Sequence, residues 1–187
     1  MSSRNDYHFI SRWRVSSTPA EVSKVLENTT DLVRWWPSVY LEVRELEAGD
    51  ERGVGKLVSL HTKGWLPYTL RWKLRVTESR YPYGFSLEAS GDFEGCGFWT
   101  FAPQGDEVNI TYDWRIRADK PLLKLLSPLL KPLFAANHRW AMARGEESLK
   151  LELAHLRART IEEAARVPPP PGPTFPHNKR NTKRPTE

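Results

Sequence analysis

The stretch V-N-I-T-Y-D-W-R-I-R, residues 108–117, puts Val108, Ile110, Tyr112, Trp114 and Ile116 on one side of an extended chain. Asn109, Thr111, Asp113, Arg115 and Arg117 fall on the other. A period of two with one apolar and one polar row is the pattern of a strand with one buried and one wet face. After Pro121 the spacing becomes helical and stays so to about Ala165. A half-buried strand followed by so long a helix fixes the architecture, because a one-sided sheet needs a cover and this helix is the last element able to provide it.

Upstream, the same period recurs on short turns. Gln104-Gly105-Asp106 turns back into residues 93–102, Gly91-Asp92 into 85–90, and Tyr81-Pro82-Tyr83-Gly84 into 68–77. In 68–77, Tyr68, Leu70, Trp72, Leu74 and Val76 oppose Thr69, Arg71, Lys73, Arg75 and Thr77. Gly53 and Gly55 mark a turn into a strand ending near Gly64, and Val39, Leu41 and Val43 form one further row. Residues 7–16 alternate as well, with Tyr7, Phe9, Trp13 and Val15 on one side. Between this first strand and the rest, Thr18-Pro19-Ala20-Glu21 spells a capping box with proline at the first helical position. A second short helix, about Asp31 to Trp36, ends at Pro37. The fold class is therefore α+β: a curved antiparallel sheet of about seven strands wrapped around a long C-terminal helix, with two short helices after the first strand. Strands grouped before the helix exclude an alternating parallel sheet and a dinucleotide fold. Pro128 and Pro132 are expected to separate a first helical turn or two from the long helix.

A chain of 187 residues suits one domain, assigned to residues 1–166. Residues 167–187 are expected to be a disordered tail: Pro168 onward reads Pro-Pro-Pro-Pro-Gly-Pro and holds one aromatic, Phe175. Four basic residues and one acid fall in that tail, so of the formal charge of +5 only +2 belongs to the domain. That is no nucleic-acid footprint. Cys96 is the single cysteine, which excludes an internal disulfide and favours a reducing compartment. No secretory signal is legible at the start, and the most apolar run, 122–136, is interrupted by lysines and prolines. The expectation is a soluble, cytoplasmic protein.

The inward rows carry an unusual aromatic load: Phe9, Trp13, Tyr68, Trp72, Trp99, Phe101, Tyr112 and Trp114. The helix face that should oppose them runs Leu130, Leu133/Phe134, Asn137, Ala141, Gly145, Leu149, bulky at its ends and small in its middle. Glycine inside a helix costs roughly 1 kcal/mol against alanine, so Gly145 asks for a reason. Small side chains there either leave a void or allow close helix–sheet contact. Gly95-Cys96-Gly97 inside a strand permits a bend, a bulge or close approach of another group. The predicted pocket wall is Trp13, Tyr68, Trp72, Trp99, Tyr112 and Trp114 on the sheet, faced by Asn137, Ala141 and Gly145. Tyr112, Tyr68 and His61 are the acid/base candidates, with the phase of His61 open because Val58 and Leu60 compete with Leu57 and Ser59 for the inside. His138 lies about 100° round the helix from Asn137. No G-x-S-x-G, P-loop or H-E-x-x-H occurs, the five histidines show no metal-ligand pairing, and Glu42, Glu88 and Asp113 fall on outward phases. No metal and no cofactor are expected.

The order strand, two short helices, six strands, long helix resembles the START-like, or SRPBCC, superfamily with its helix-grip fold, and more specifically its polyketide cyclase/dehydrase branch. The matching residues are Trp13-Arg14-Val15, Pro19-Ala20-Glu21-Val22, Trp35-Trp36-Pro37-Ser38-Val39, Gly91 to Trp99, Thr111-Tyr112-Asp113-Trp114 and Asn137 to Met142 with Gly145. The resemblance spans about residues 7–158. It implies a deep cavity between sheet and helix for lipids, polyketides or other hydrophobic ligands, and it carries no universal catalytic residues. Three roles follow as expectations: binding or carriage of a small hydrophobic molecule, cyclase or dehydratase chemistry on a polyketide-like substrate, and membrane contact through residues 120–134, where leucines mix with lysines.

Overall fold

The computed structural model describes residues 6–117 and 121–174, with side chains in the last long helix described from Lys131 onward. Seven strands form one antiparallel sheet: β1 (Asp6–Val15), β2 (Tyr40–Glu47), β3 (Leu57–Lys63), β4 (Thr69–Ser79), β5 (Gly84–Gly91), β6 (Glu94–Gln104) and β7 (Glu107–Arg117). Their order is β1-β7-β6-β5-β4-β3-β2, so the meander from β2 to β7 is joined at its far end by the first strand. α1 (Pro19–Glu27) and the one-turn α2 (Leu32–Trp35), with a 3-10 turn between them, connect β1 to β2. α3 (Pro121–Arg157) covers the sheet, and a short α4 (Ile161–Arg166) follows.

The expected capping box is present. Thr18 Oγ1 accepts from the Glu21 N–H, and the Glu21 carboxylate accepts from the Thr18 N–H. The same carboxylate receives two hydrogen bonds from Arg157 at 3.0 and 2.8 Å, so one residue caps α1 and ties it to the end of α3. A second tie joins α2 to α3, where the buried Glu152 carboxylate accepts both guanidinium arms of Arg34 at 2.6 and 2.7 Å.

Contacts along β1 fix the direction of α3. Lys131 reaches the Asp6 carbonyl, His138 meets Ser11, Glu146 accepts from the Arg14 N–H, and Arg157 reaches the Ser16 carbonyl. The first strand and the last long helix therefore run side by side in the same sense. α3 is continuous from Pro121, against the expectation of a break at Pro128 and Pro132. Each proline removes one hydrogen bond within the helix without ending it. The break falls later, at Ala158–Arg159, before Thr160 caps α4. Residues 168–170, at the head of the expected tail, line a groove with Arg34, Trp35, Ser148 and Glu152, while 175–187 lie outside the described residues. Of the expected membrane-contact segment, 120–134, residue 120 and the side chains of 121–130 also lie outside them.

The core fills one end of the space between sheet and α3. Val15, Val22, Val58, Leu60, Phe101, Val108, Ile110 and Leu149 are almost fully buried there. Towards the other end, where α3 passes Tyr7, the packing opens.

Candidate functional site: an aromatic cavity between sheet and helix

The opening is a cavity of about 180 Å³. β7 gives it Tyr112, Trp114 and Ile116 on consecutive inward positions, and β4 gives Leu70 and Trp72. The β3–β4 connection adds Gly64 and Tyr68, and α3 adds Phe134, Asn137, His138, Ala141 and Met142. Tyr112, Trp114, Trp72 and Phe93 form a continuous aromatic wall. The Tyr112 and Trp114 rings stack with centroids 5.4 Å apart, Trp114 lies 5.9 Å from Trp72, and Phe93 touches both indoles.

Six of the nine expected wall residues come together here: Tyr68, Trp72, Tyr112, Trp114, Asn137 and Ala141. Trp13, Trp99 and Gly145 do not line the cavity; they build the layer beneath it. Trp13 packs 5.3 Å from Trp99 and 5.6 Å from Trp36, and Trp99 stacks on Tyr112 at 4.0 Å. Gly145 faces neither a void nor the sheet but the Trp36 ring at the end of α2. A Cβ there would overlap the Trp36 indole, so the glycine makes room for that ring. Gly97 has the same reason. A Cβ at 97 would stand 2.8 Å from the Tyr112 ring and 2.9 Å from Trp114, so this glycine lets two rings lie across β6.

His61 is placed away from the cavity. Val58, Leu60 and Thr62 take the buried phase of β3, leaving His61 on the opposite face between Glu42 and Arg71 of the neighbouring strands. Burial and the Arg71 charge lower its pKa. Asn137 works as a latch at the mouth. Its Oδ1 accepts from the Leu66 N–H at 3.2 Å, and Gly64 leaves the space its side chain occupies.

Among the lining residues outside the expected wall, Tyr40, Trp36, His138 and Phe93 have local reasons for it. Tyr40 falls opposite Val39, Leu41 and Val43 in a strict alternation. A register shift between Tyr40 and Glu42 resets the phase, so Tyr40 pairs with the inward Thr62 while Val43 pairs with the inward Leu60. Bulges re-aim side chains in this way next to sites. Trp36 enters from the turn after α2, which has no periodicity to read. His138 stacks on Phe9 at 4.3 Å, its Nε2 3.3 Å from Ser11 Oγ, because the wall of the cavity curls past the helix on the β1 side. Phe93 sits at the β5–β6 turn. Its aromatic character between Asp92 and Glu94 was the one available signal.

Polar groups in the cavity are few and uncharged at neutral pH, apart from the buried Lys63 at its rim. Burial pushes the Tyr68 phenol up to about 12, with Tyr7 adding to the shift. Burial alone holds the Tyr40 phenol well above its ordinary value. For Tyr112 burial acts first, and the neighbouring Tyr40 and Cys96 raise it further. His138 is held at about 4 by burial and then by Arg139, so its imidazole is neutral. The Trp72 indole donates to Thr62 Oγ1 at 3.0 Å. Burial also lowers Lys63. The arrangement shelters an apolar body and offers it neutral donors and acceptors. Among the described residues no cluster of three or more His, Cys, Asp or Glu is placed to hold a metal ion, and no helix is long and apolar enough to cross a membrane.

Several solved structures share this fold. TTHA0849 from Thermus thermophilus superposes with a TM-score of 0.66 at 14% identity over 81% of this chain and 100% of its own. The Zhui aromatase/cyclase from Streptomyces sp. R1128 gives 0.64 at 15% over 82% and 97%. Norcoclaurine synthase from Thalictrum flavum, in complex with dopamine and hydroxybenzaldehyde, gives 0.55 at 14% over 83% and 90%. At these identities the likeness is one of fold. No curated protein matches the chain significantly in sequence. Residues 11–159, which hold most of the sheet and the whole of α3, match the family described as polyketide cyclase/dehydrase and lipid transport, and the protein belongs to that family.

Proposed function

We propose that the protein binds a small, largely apolar aromatic molecule in the cavity between sheet and α3. The observation that carries this reading is the cavity itself: about 180 Å³ enclosed by Trp72, Trp114, Tyr112, Phe93 and Met142. An apolar cavity of about 150 Å³ is enough to admit benzene, so one ring or two fused rings is the matching size. A long polyketide or acyl chain needs more room than this. Titration with naphthalene, read by tryptophan emission, is expected to saturate at one molecule per chain. Ala141→Trp fills the space and should weaken that binding at least tenfold while the protein stays folded. Absence of saturable binding for naphthalene, indole and 2-naphthol alike overturns the proposal.

A second reading, ring closure or dehydration of a bound substrate, is favoured by Tyr68, Tyr112 and the neutral His138 lining one space. A neutral imidazole is able to take up a proton, and an un-ionised phenol to give one. His61 leaves the candidate set because it is on the other face of the sheet. Cyclisation of a poly-β-ketone thioester analogue that is undiminished in Tyr68→Phe, Tyr112→Phe and His138→Phe would end this second reading.

A further inference from the structure

The two ends of the cavity differ in chemistry. Towards the mouth, Tyr7 and Tyr68 sit against Phe134 with ring centroids 6.1 and 6.3 Å from it. The middle is apolar: Leu70, Trp72, Trp114, Ile116, Ala141 and Met142. At the deep end, above the Trp13–Trp99 layer, Tyr40 and Tyr112 enter from opposite walls. Tyr40 is placed by the bulge in β2 and packs edge-on to Trp36 at 5.2 Å; Tyr112 stacks on Trp99 at 4.0 Å. The two phenols sense one another electrostatically.

Tyr40 and Tyr112 both line the cavity, and no hydrogen bond joins either hydroxyl to a described residue. Beside them the buried indole N–H of Trp36 has no protein acceptor, and a buried polar group left unsatisfied costs about 1–3 kcal/mol. Burial keeps both phenols protonated. Each therefore has one O–H to donate and lone pairs to accept.

We infer that the deep end of the cavity is a binding pole for a neutral oxygen function, a phenol, enol or ketone, carried on a one- or two-ring aromatic ligand that enters oxygen first and lies between the hydroxyls of Tyr40 and Tyr112. The inference rests on the cavity being a binding site and specifies what it binds. A neutral oxygen fits because two neutral phenols hydrogen-bond to it without having to compensate a charge. A carboxylate at that depth would carry its full desolvation cost. The ring of such a ligand would occupy the apolar middle against Trp72 and Trp114.

Matched titrations with naphthalene, 2-naphthol and 2-naphthoate separate the possibilities. 2-Naphthol is expected to bind at least tenfold tighter than naphthalene, and 2-naphthoate more weakly than 2-naphthol. Tyr112→Phe and Tyr40→Phe should each lower the ratio of 2-naphthol to naphthalene affinity severalfold. Both variants keep the aromatic ring; thermal unfolding checks each, and either alone is sufficient for the comparison. Equal affinities for naphthalene and 2-naphthol, or a naphthol advantage that survives in both variants, overturn the pole and leave the cavity proposal standing. Preference for 2-naphthoate also overturns it and points to Lys63 at the rim. Binding of none of the three defeats the cavity proposal itself.

Discussion

Protonating His138 places a charge beside Phe9 and an apolar cavity, and burial with the nearby Arg139 holds its pKa at about 4 instead of 6.5. Between those values the unfolded chain binds more protons than the folded one. The stability this neutral histidine allows is thus complete above about pH 6.5 and is lost as pH falls towards about 4, by up to about 3 kcal/mol. His138→Phe keeps a ring against Phe9 and removes the titration. Urea unfolding across this range should show a shallower loss of stability in the variant, and identical slopes would contradict the shift. Gly145 is the second residue with a large local consequence. Alanine gains about 1 kcal/mol of helix propensity, but its Cβ must displace an indole already packed against Trp13, Trp35 and Tyr40. Overpacking of this kind costs about 1–3 kcal/mol. Gly145→Ala is expected to lower stability slightly and Gly145→Val by about 2 kcal/mol or more, as measured by denaturant midpoint.

Elements are held to one another by a few specific ties, of which Arg34–Glu152 is the most enclosed. Glu152 has about 5% of its side chain exposed and Arg34 about half, so removing the arginine strands a carboxylate on the dry side of the pair. Arg34→Met should cost about 2 kcal/mol, below the usual penalty for breaking a fully buried pair because water reaches the arginine side. Arg34→Met with Glu152→Leu should recover much of it; no recovery in a thermal-unfolding double cycle would mean that the tie to Asp31 matters more. The element scale also separates what the sequence revealed from what it hid. Alternation in β4 and β7, the Thr18–Glu21 cap and the stop at Pro37 gave strands, helices and their order, because each depends on neighbours within a few residues. Tyr40 depended on one extra residue in β2, and Trp36 on a turn without periodicity. The place of Gly145 depended on an indole more than a hundred residues away. Of the six expected residues that line the cavity, Trp72, Tyr112 and Trp114 were legible from the strand period, Tyr68 from the same row continued past the end of β4, and Asn137 and Ala141 from the helical spacing of α3. Where the cavity stops and the packed Trp13–Trp99 layer begins is a tertiary property and leaves no local mark. The prolines misled for a similar reason: a helix with a sheet to pack on survives the loss of two hydrogen bonds that would end an isolated one.

At the scale of the molecule, one apolar cluster includes residues from six of the seven strands, from α1, α2 and α3, and six tryptophans: Trp13, Trp35, Trp36, Trp72, Trp99 and Trp114; Tyr40 and Val43 of β2 pack against it. Sheet and helix therefore share a core, and unfolding should be cooperative. Urea transitions followed by tryptophan emission and by far-ultraviolet circular dichroism are expected to coincide. A separate earlier loss of helical signal would show that α3 docks independently of the sheet. The side-by-side course of β1 and α3 has a temporal side. On the ribosome β1 leaves first but pairs only with β7, whose last residue, Arg117, follows Val15 by about a hundred positions. At about 5–20 residues per second that interval is several seconds. During it the nascent chain holds Tyr7, Trp13 and Val15 without their partner, and the apolar face of the growing sheet waits longer still for α3. The cavity comes into being only with α3, so a chain that has not yet made this helix cannot retain a ligand there, and the arrival of α3 decides whether the sheet ends as a vessel or as a surface that adheres to its neighbours.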